Sequence, residues 1–202
     1  MCNVIIIGAG GHAKVIADIV LKNGDKLLGF LDDNKIGTVI GEYSVIGKIA
    51  DATKYSNDAE FIIGIGSNSV RKSISESYDL KWYTVVHPSA QIGLDVSIGS
   101  GTCVMANAVI NSSATVGNHC IINTSAVVEH DCRVSDFVHV SPGTILCGTV
   151  SVGDLCHIGA GTVVKNNINI CEETVVGIGA GVVKNIEFSG TYIGVPAKRI
   201  DI

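Results

Sequence analysis

A six-residue period over residues 92–182 constrains the fold of this chain more than any other feature of its sequence. Every sixth residue is aliphatic, and the residue two places before it is small or β-branched. Because alternate side chains of a strand face opposite sides, both positions would point inward in each six-residue unit. The period therefore predicts a triangular solenoid of short strands and tight turns, the hexapeptide β-helix. The aliphatic positions are Ile92, Ile98, Val104, Ile110, Val116, Ile122, Val128, Val134, Val140, Leu146, Val152, Ile158, Val164, Ile170, Val176 and Val182.

Glycine directly follows the aliphatic residue in several repeats. Because glycine adopts a positive φ without steric cost, we expect these glycines to form the turns. They are Gly93, Gly99, Gly117, Gly153 and Gly177.

The first 86 residues have a different pattern, in which apolar runs of strand length alternate with amphipathic segments. Strands are predicted at residues 3–7, 27–31, 61–66 and 82–86, with one helix over residues 13–22 and another beginning near Ser69. This alternation predicts a small parallel-sheet, Rossmann-like α/β domain over residues 1–86. The β-helix and a C-terminal tail then occupy residues 87–202.

A glycine loop follows the first predicted strand. Gly8, Gly10 and Ala13 fit the relaxed G-x-G-x-x-G/A dinucleotide fingerprint, and Asp32 lies near its expected acidic position. A nicotinamide enzyme is therefore one interpretation. However, fewer than 90 residues precede the repeat, which is room for only half of a two-part dinucleotide fold. The same loop suits a mononucleotide whose diphosphate meets the N–H groups at a helix start, and a purely structural turn is a third alternative.

Composition and charge exclude several classes of function. A net charge of −5 argues against nucleic acid or an anionic membrane surface as the main partner. No run of 18 apolar residues predicts a membrane-spanning helix, and the first residues do not resemble a signal peptide, so we expect a cytoplasmic protein. The seven cysteines include no CxxC pair, and the chain has no zinc-type spacing, so neither disulfides nor a metal is expected. Three cysteines fall on inward positions of the repeat: Cys120, Cys132 and Cys156.

Four motifs together resemble one family. They are Gly8-Ala9-Gly10-Gly11-His12, Phe30-Leu31-Asp32-Asp33, Gly64-Ile65-Gly66-Ser67-Asn68 with Arg71-Lys72, and Gly194-Val195-Pro196-Ala197-Lys198-Arg199. Over essentially the whole chain they resemble the sialic acid O-acetyltransferase (NeuD-type) family of hexapeptide acyltransferases. Within it, the chain is most similar to bacterial UDP-4-amino-sugar N-acetyltransferases of the bacillosamine type.

The resemblance implies a fold, an assembly and a set of ligands. It implies a left-handed parallel β-helix with three hexads per coil, hence about five coils. It also implies a homotrimer, with the co-substrate acetyl-CoA in the groove between neighbouring β-helices and a nucleotide sugar on the N-terminal domain. Matching positions imply these sugar-nucleotide contacts: Gly10, Gly11, His12, Asp32, Asp33, Gly66 and Asn68. Ser67 departs from the asparagine often found at its position.

The chemistry of acetyl transfer singles out the segment that contains Glu129-His130-Asp131. Alternation from Cys132 would turn His130 inward unless the corner turns it outward. The resemblance implies that His130 is an outward general base and that Asp131 orients its ring. It also implies that the backbone N–H of Gly148 stabilises the oxyanion.

The resemblance implies an acetyl-CoA site along the later coils. Its residues would be His139, Ser141, Cys147, Gly148, Ala160 and Ile178. Lys184, Lys198 and Arg199 are candidates for the phosphates of acetyl-CoA, or are simply solvated. Of the other histidines, we expect His119 to be solvated in a turn, His157 to be structural or at the surface, and His87 to cap the junction.

These residues predict an acetyl-CoA-dependent nucleotide-sugar N-acetyltransferase. The acetyl group would pass directly, without an acyl-enzyme, to the 4-amino group of a nucleotide-linked amino-dideoxy sugar, with UDP as the expected nucleotide. One alternative is O-acetylation of a sialic acid or another sugar hydroxyl. Another is a non-catalytic nucleotide-binding scaffold whose repeat serves assembly only.

Overall fold

The computed structural model describes residues 1–200, which form an N-terminal α/β domain and a β-helix. The N-terminal sheet has the order β3-β4-β2-β1-β5, and its strands are parallel except for the antiparallel β3–β4 pair. Its elements are β1 (Asn3–Ile7), α1 (Gly11–Lys22), β2 (Lys26–Leu31), β3 (Val39–Ile40), β4 (Tyr43–Gly47), a 3-10 helix (Ile49–Tyr55), β5 (Glu60–Ile63) and α2 (Asn68–Ser77).

The central strand β1 is buried on both faces, as parallel sheets require. Val4 and Ile6 pack with the buried side of α1, whereas Ile5 and Ile7 pack with Ala52 of the 3-10 helix and other residues of the opposite layer. The predicted Rossmann-like layer is therefore confirmed. The prediction that residues 82–86 form a strand of this sheet is wrong. Only Trp82 bridges to Phe61, while the last two residues join the β-helix.

The β-helix consists of short strands in three sheets, which are parallel except for the antiparallel pair of residues 190–193 and 198–200 at the C-terminal end. From residue 85 to residue 182, residues paired between neighbouring coils are 18 positions apart. Three hexads thus complete one coil, which confirms the left-handed parallel β-helix. Its strands are β6 (Val85–Val86), β7 (Gln91–Ile92), β8 (Ser97–Ile98), β9 (Cys103–Val104), β10 (Val109–Ile110), β11 (Thr115–Val116), β12 (Ile121–Ile122), β13 (Val127–Val128), β14 (Arg133–Val134), β15 (His139–Val140), β16 (Ile145–Leu146), β17 (Ser151–Val152), β18 (His157–Ile158), β19 (Val163–Val164), β20 (Asn169–Ile170), β21 (Thr174–Val176), β22 (Gly181–Val182), β23 (Gly190–Ile193) and β24 (Lys198–Ile200).

The inward positions predicted from the period form the core of the β-helix. From Val104 to Val182 every predicted aliphatic position is buried. Ile92 and Ile98 are less buried because their strands form the open edge of their sheets. The intervening small residues, including Cys120, Cys132 and Cys156, are also buried.

The three sheets of the β-helix present outward side chains of different chemistry. We call the sheet that contains β7, β10, β13, β16, β19 and β22 the apolar face, because Val109, Val127, Ile145 and Val163 point outward from it. The sheet of β8, β11, β14, β17 and β20 is the polar face, with outward Ser97, Thr115, Arg133, Ser151 and Asn169. The sheet that begins with β6, β9 and β12 is the docked face, because its Val85, Cys103 and Ile121 pack against the N-terminal domain.

The corners of the β-helix differ from the turn prediction. Every sixth residue from Asp95 to Gly179 has φ between 52° and 71°, and most of these residues are not glycine. The glycines predicted to supply positive φ do not do so. They are required because coils stack closely: a Cβ on Gly99 would lie 2.5 Å from the carbonyl carbon of Gly117.

Across residues 1–200, no helix is both long enough and apolar enough to span a bilayer.

Candidate active site

The glycine loop between β1 and α1 is fixed by side chains that follow β2. The Asp32 carboxylate accepts hydrogen bonds from Ala9 N (2.9 Å) and Asn34 N (2.9 Å), and Lys35 Nζ donates to Ala9 O (2.9 Å). Gly10, the residue before α1, offers no side-chain cap, so the N–H groups of the helix start face a cavity of about 480 Å³. Gly10, Gly11, Lys14 and Lys35 line this cavity, and Asp32 and His12 line the adjoining one. The loop can therefore receive an anionic group.

Asp33 lies apart from its neighbour Asp32. Its carboxylate accepts a hydrogen bond from Ile49 N (3.0 Å), at the start of the 3-10 helix. The implied contact between Asp33 and a nucleotide stays a prediction.

Predicted substrate and co-substrate residues meet in the cleft over the docked face. His139 Nε2 lies 2.9 Å from Asn123 Nδ2, which can only donate, so the ring proton of His139 is on Nδ1. The ring of His157 lies 4.7 Å from that of His139 and its Nε2 is 3.2 Å from Ser141 Oγ. Buried Nδ1 of His139 and Nε2 of His12 have no hydrogen-bond partner among the described residues. These are atoms that a ligand could satisfy.

The histidines of this cleft are neutral at pH 7. Burial, and to a lesser extent the charge of Arg71, lowers the pKa of His12 to about 4. Burial also lowers the pKa of His139 to about 3, with further effects of His157, Arg71 and His12. The pKa of His157 is lowered as well, chiefly by burial.

A second cavity of about 480 Å³ opens where α2 meets the β-helix. Gly66, Asn68, His157 and Glu173 are among the residues that line it. The Asn68 amide is held by the protein itself: Nδ2 donates to the carbonyls of Leu155 and Cys156, each at 2.9 Å, and Oδ1 accepts from Arg71. The implied contact of Asn68 with a sugar nucleotide stays a prediction.

His130 and Asp131 occupy the corner between the apolar and polar faces. The corner residue Asp131 has φ 60°, so the chain turns there and His130 points outward, while Cys132 returns to the core. Alternation alone would have oriented His130 incorrectly. His130 Nδ1 lies 2.8 Å from Asp131 Oδ2, and this hydrogen bond raises the pKa of His130. Because a carboxylate only accepts, the proton of neutral His130 is on Nδ1 and the lone pair is on Nε2.

Gly148 lies against the free nitrogen of His130. A Cβ at position 148 would be 2.6 Å from His130 Nε2, so only glycine allows this approach. The N–H of Gly148 makes no hydrogen bond within residues 1–200. The predicted base and the predicted oxyanion donor are therefore adjacent.

The residues predicted for acetyl-CoA lie on two corners of the chain. Cys147 and Gly148 share the apolar–polar corner with His130, because they follow β16 and precede β17. Ser141, Ala160 and Ile178 follow strands of the docked face and precede strands of the apolar face. The apolar face separates the two groups.

Comparison with known proteins identifies relatives of this chain. Residues 3–78 match the PglD N-terminal domain family. The UDP-N-acetylbacillosamine N-acetyltransferase of Bacillus subtilis is 40% identical over 113 residues, which cover 52% of each chain. This chain spans about half the length or less of the curated relatives it matches.

Solved structures match over nearly the full length. The acetyltransferase domain of PglB from Neisseria gonorrhoeae has a TM-score of 0.94 and 32% identity, covering 99% of this chain and 100% of that chain. PerB from Caulobacter crescentus, solved with CoA and GDP-perosamine, has a TM-score of 0.92 and 33% identity, covering 97% and 96%. The chain belongs to this family of hexapeptide-repeat acetyltransferases. The PglB domain has also been solved with acetyl coenzyme A, and two further perosamine N-acetyltransferase structures carry asparagine or alanine in place of one histidine.

In this hexapeptide-repeat acetyltransferase His119 is not solvated, contrary to prediction. His119 is 5% exposed, and its ring stacks on that of Phe137 at 5.4 Å and makes a T-shaped contact with that of Trp82 at 4.8 Å. Burial lowers the pKa of His119 to about 4. The prediction failed because a corner residue is covered here by the N-terminal domain.

The remaining candidates lie near the junction and the C-terminal end. His87 Nδ1 accepts a hydrogen bond from Ser89 N (3.0 Å) at the start of the β-helix. Lys184, Lys198 and Arg199 line a common cavity of about 370 Å³. In the part of the chain that the structure describes, no three metal-binding side chains cluster, and all seven cysteines are free.

Arg71 and Asn123 contact the candidate site but were not predicted from the sequence to belong to it. Arg71 could have been found from its spacing, because it precedes buried Ile74 by three residues and so lies on the buried side of α2. Asn123 had no such signal, since it follows an aliphatic position like many other outward residues of the repeat.

Proposed function

We propose that the protein transfers the acetyl group of acetyl-CoA to the 4-amino group of a UDP-linked amino-dideoxy sugar. The observation that carries this proposal is the corner where His130, held by Asp131, directs Nε2 toward Gly148. The names of the relatives support the reaction class: one is a UDP-N-acetylbacillosamine N-acetyltransferase and another was solved with CoA and GDP-perosamine.

In the proposed mechanism the free amine of the sugar attacks the thioester carbonyl directly. The carbonyl oxygen becomes an oxyanion that the N–H of Gly148 stabilises. His130 Nε2 takes the proton that the amine loses on forming the C–N bond. The C–S bond then breaks, the thiolate of CoA leaves, and the proton on His130 can pass to it. Asp131 stabilises the imidazolium between these steps, consistent with the raised pKa of His130.

The nucleotide sugar is proposed to lie on the N-terminal domain. Its diphosphate would meet the uncapped N–H groups of α1 at Gly10, Gly11 and His12. Lys14 and Lys35 line the same cavity and would add positive charge. From there the sugar can extend toward the neutral histidines of the cleft.

We propose a homotrimer because one chain does not bring the two halves of this site together. The cleft with His12 and His139 lies over the docked face, whereas His130 lies on the corner opposite that face. If the apolar faces of three copies pack around a threefold axis, the docked–apolar corner of one copy meets the apolar–polar corner of the next. Ser141, Ala160 and Ile178 of one copy would then approach Cys147, Gly148 and His130 of its partner. Exposed Ile145 and Val163 would be buried in this contact.

Acetyl-CoA is proposed to lie in that groove between copies. Its thioester would reach His130, and its phosphates would extend toward the basic cavity of Lys184, Lys198 and Arg199. We also propose residues 1–86 as the sugar-nucleotide domain, residues 87–202 as the acetyl-transfer domain, and a cytoplasmic site of action, in keeping with seven free cysteines.

The proposal is tested by thiol release from acetyl-CoA with matched acceptors. UDP-4-amino-4,6-dideoxy-N-acetylglucosamine should be acetylated, whereas the same compound with a 4-hydroxyl group should not. The GDP-linked amino sugar tests the nucleotide. Acetylation of the hydroxyl acceptor alone would favour the O-acetyltransferase alternative, and no acetyl-CoA binding would favour the scaffold.

A further inference from the structure

Arg71 is buried at the junction of the two domains and has no carboxylate partner among residues 1–200. It is 1% exposed and lies in the first turn of α2. Its Nη1 donates to Ile65 O (3.3 Å) and Gly66 O (2.9 Å), and its Nη2 donates to Asn68 Oδ1 (2.9 Å). Burial lowers the pKa of Arg71 to about 10, so the guanidinium remains charged at neutral pH.

The same guanidinium also bonds to the β-helix. Nε donates to His119 O (2.9 Å) and Nη2 donates to Phe137 O (3.0 Å). Asn68 extends this pattern, because its Nδ2 donates to Leu155 O (2.9 Å) as well as to Cys156 O (2.9 Å). The pair thus contacts equivalent corner residues on three successive coils: His119, Phe137 and Leu155.

These three carbonyls need partners because of the corner geometry. Each corner residue has φ between 52° and 61°, and its N–H bonds to the preceding coil. Its carbonyl is not used by the coil-to-coil ladder. A carbonyl covered by another domain is costly unless it is hydrogen-bonded, and Arg71 and Asn68 supply the donors.

Besides the β-helix, Arg71 holds the loop of residues 65–68, which lines the candidate ligand cavities. Gly66 lines both the cavity of the glycine loop and the cavity beside α2. We propose that Arg71 and Asn68 are positioning residues that fix the loop of residues 65–68 to three coils, and so set where a bound nucleotide sugar lies on the β-helix. This inference rests on the proposed function only for the identity of the bound ligand.

The shape of the guanidinium, and not only its charge, is required in this arrangement. The five N–H groups of arginine form a planar fork and here reach five oxygens on two domains. Lysine keeps the charge but concentrates three donors on one atom. Arg71→Lys therefore separates electrostatic effects from bridging.

The test compares Arg71→Lys with Lys72→Met, a change of the next and exposed residue of α2. Amide hydrogen exchange over residues 64–70 should accelerate by roughly tenfold or more in Arg71→Lys, with the core strands of the β-helix unchanged. KM for the UDP-4-amino sugar should rise by about tenfold or more, whereas KM for acetyl-CoA should stay within about twofold. Lys72→Met should alter none of these quantities.

Asn68→Ala provides a milder second variant, since it leaves the guanidinium in place. Exchange of the loop should accelerate here too, and the double variant should cost less than the sum of the single changes, because both residues hold one loop. Unchanged exchange in both variants would overturn the inference even if the enzyme used another acceptor. Equal losses of acetyl-CoA and sugar binding would also overturn it, because they would indicate general destabilisation. Absence of wild-type turnover with changed loop exchange would instead contradict only the proposed acceptor.

Discussion

One hydrogen bond, between His130 and Asp131, sets both the ring orientation and the pKa of His130. Asp131 orients the ring and raises the pKa of His130, so that Nε2 is the atom left to accept a proton. Both side chains are more than half exposed, so this pair contributes little to stability. Its proposed role is to set the charge and orientation of the base.

Asp131→Asn should therefore move the pH dependence of turnover. In the proposed mechanism the base works as neutral imidazole, so kcat/KM should rise with pH through the pKa of His130 in the free enzyme. Removing the carboxylate removes the main cause that raises this pKa, and the rising limb should shift to lower pH while the maximal rate falls. Glu129→Gln is the control, because Glu129 has only a minor effect on the pKa of His130. If the rising limb does not move in Asp131→Asn, the group that titrates in the pH profile is not His130.

For single residues, the sequence predicted which candidate groups lie next to one another better than it predicted their surroundings, while their chemical roles stay predictions. His130, Asp131 and Gly148 come together as the resemblance implied, and their adjacency could be seen from the spacing of 18 residues between His130 and Gly148. The outward orientation of His130 could not come from alternation, because it depends on the turn at Asp131. The burial of His119 depends on another domain and leaves no mark in the repeat.

Among the secondary-structure elements, the coils of the β-helix are held at close spacing by glycine. Gly99→Ala would place a Cβ 2.5 Å from a backbone carbon of the next coil. Such a contact cannot be relieved by a rotamer change, so we expect a loss of about 1–3 kcal/mol in unfolding free energy. Denaturant unfolding would measure this loss, with Ser97→Ala, an exposed position on the same coil, as the control. Equal stability of the two variants would mean that the coils can separate at low cost.

The interface between α2 and the β-helix should respond to acid. Burial lowers the pKa of His119 from its ordinary value of 6.5 to about 4. The neutral form is favoured in the folded state, so this contribution is complete above pH 6.5 and is lost as pH falls through about 4. The thermal midpoint should decrease over this window, and His119→Leu should reduce the decrease. Ser97→Ala, which changes no titratable group, should leave the pH dependence as in the wild type.

The period of the repeat predicted nearly every inward residue of the β-helix, because a core of stacked coils tolerates only aliphatic and small residues. It misassigned the glycines, since positive φ falls three positions after the aliphatic residue and is adopted there by Asp, Asn, Ser and even Phe137. Those corners are set by the ladder of hydrogen bonds between coils. Glycine, Asn and Asp favour a positive φ, but Phe137, Thr149 and Leu155 do not, so local propensity predicts only some of the corners.

For the whole molecule, the proposed mechanism requires that each active site uses two chains. A mixture of His130→Ala and Asp32→Ala subunits tests this requirement. Each variant alone should be inactive, the first for lack of the base and the second because Asp32 holds the glycine loop. In randomly mixed trimers about a quarter of the interfaces would combine an intact base with an intact glycine loop, so activity should return. If no activity returns although mixed trimers form, the site lies within one chain.

The sequence did not predict which face of the β-helix packs against the N-terminal domain and which face stays exposed. The sequence predicts one alternating pattern, but the pattern does not say which third of the repeats meets the N-terminal domain. Outward Cys103 and Ile121 are covered by the N-terminal domain, whereas outward Ile145 and Val163 remain exposed. Long-range docking, set by Arg71, Asn68 and the corner carbonyls, decides this difference.

The proposed chemistry depends above all on His130 as the base of an acetyl transfer to a sugar amine. The decisive measurement is release of the CoA thiol with UDP-4-amino-4,6-dideoxy-N-acetylglucosamine for the wild type and for His130→Ala. We expect wild-type turnover and a loss of roughly 10²-fold or more in the variant, with acetyl-CoA binding retained. Turnover that survives the substitution would contradict the assignment of His130 as the base.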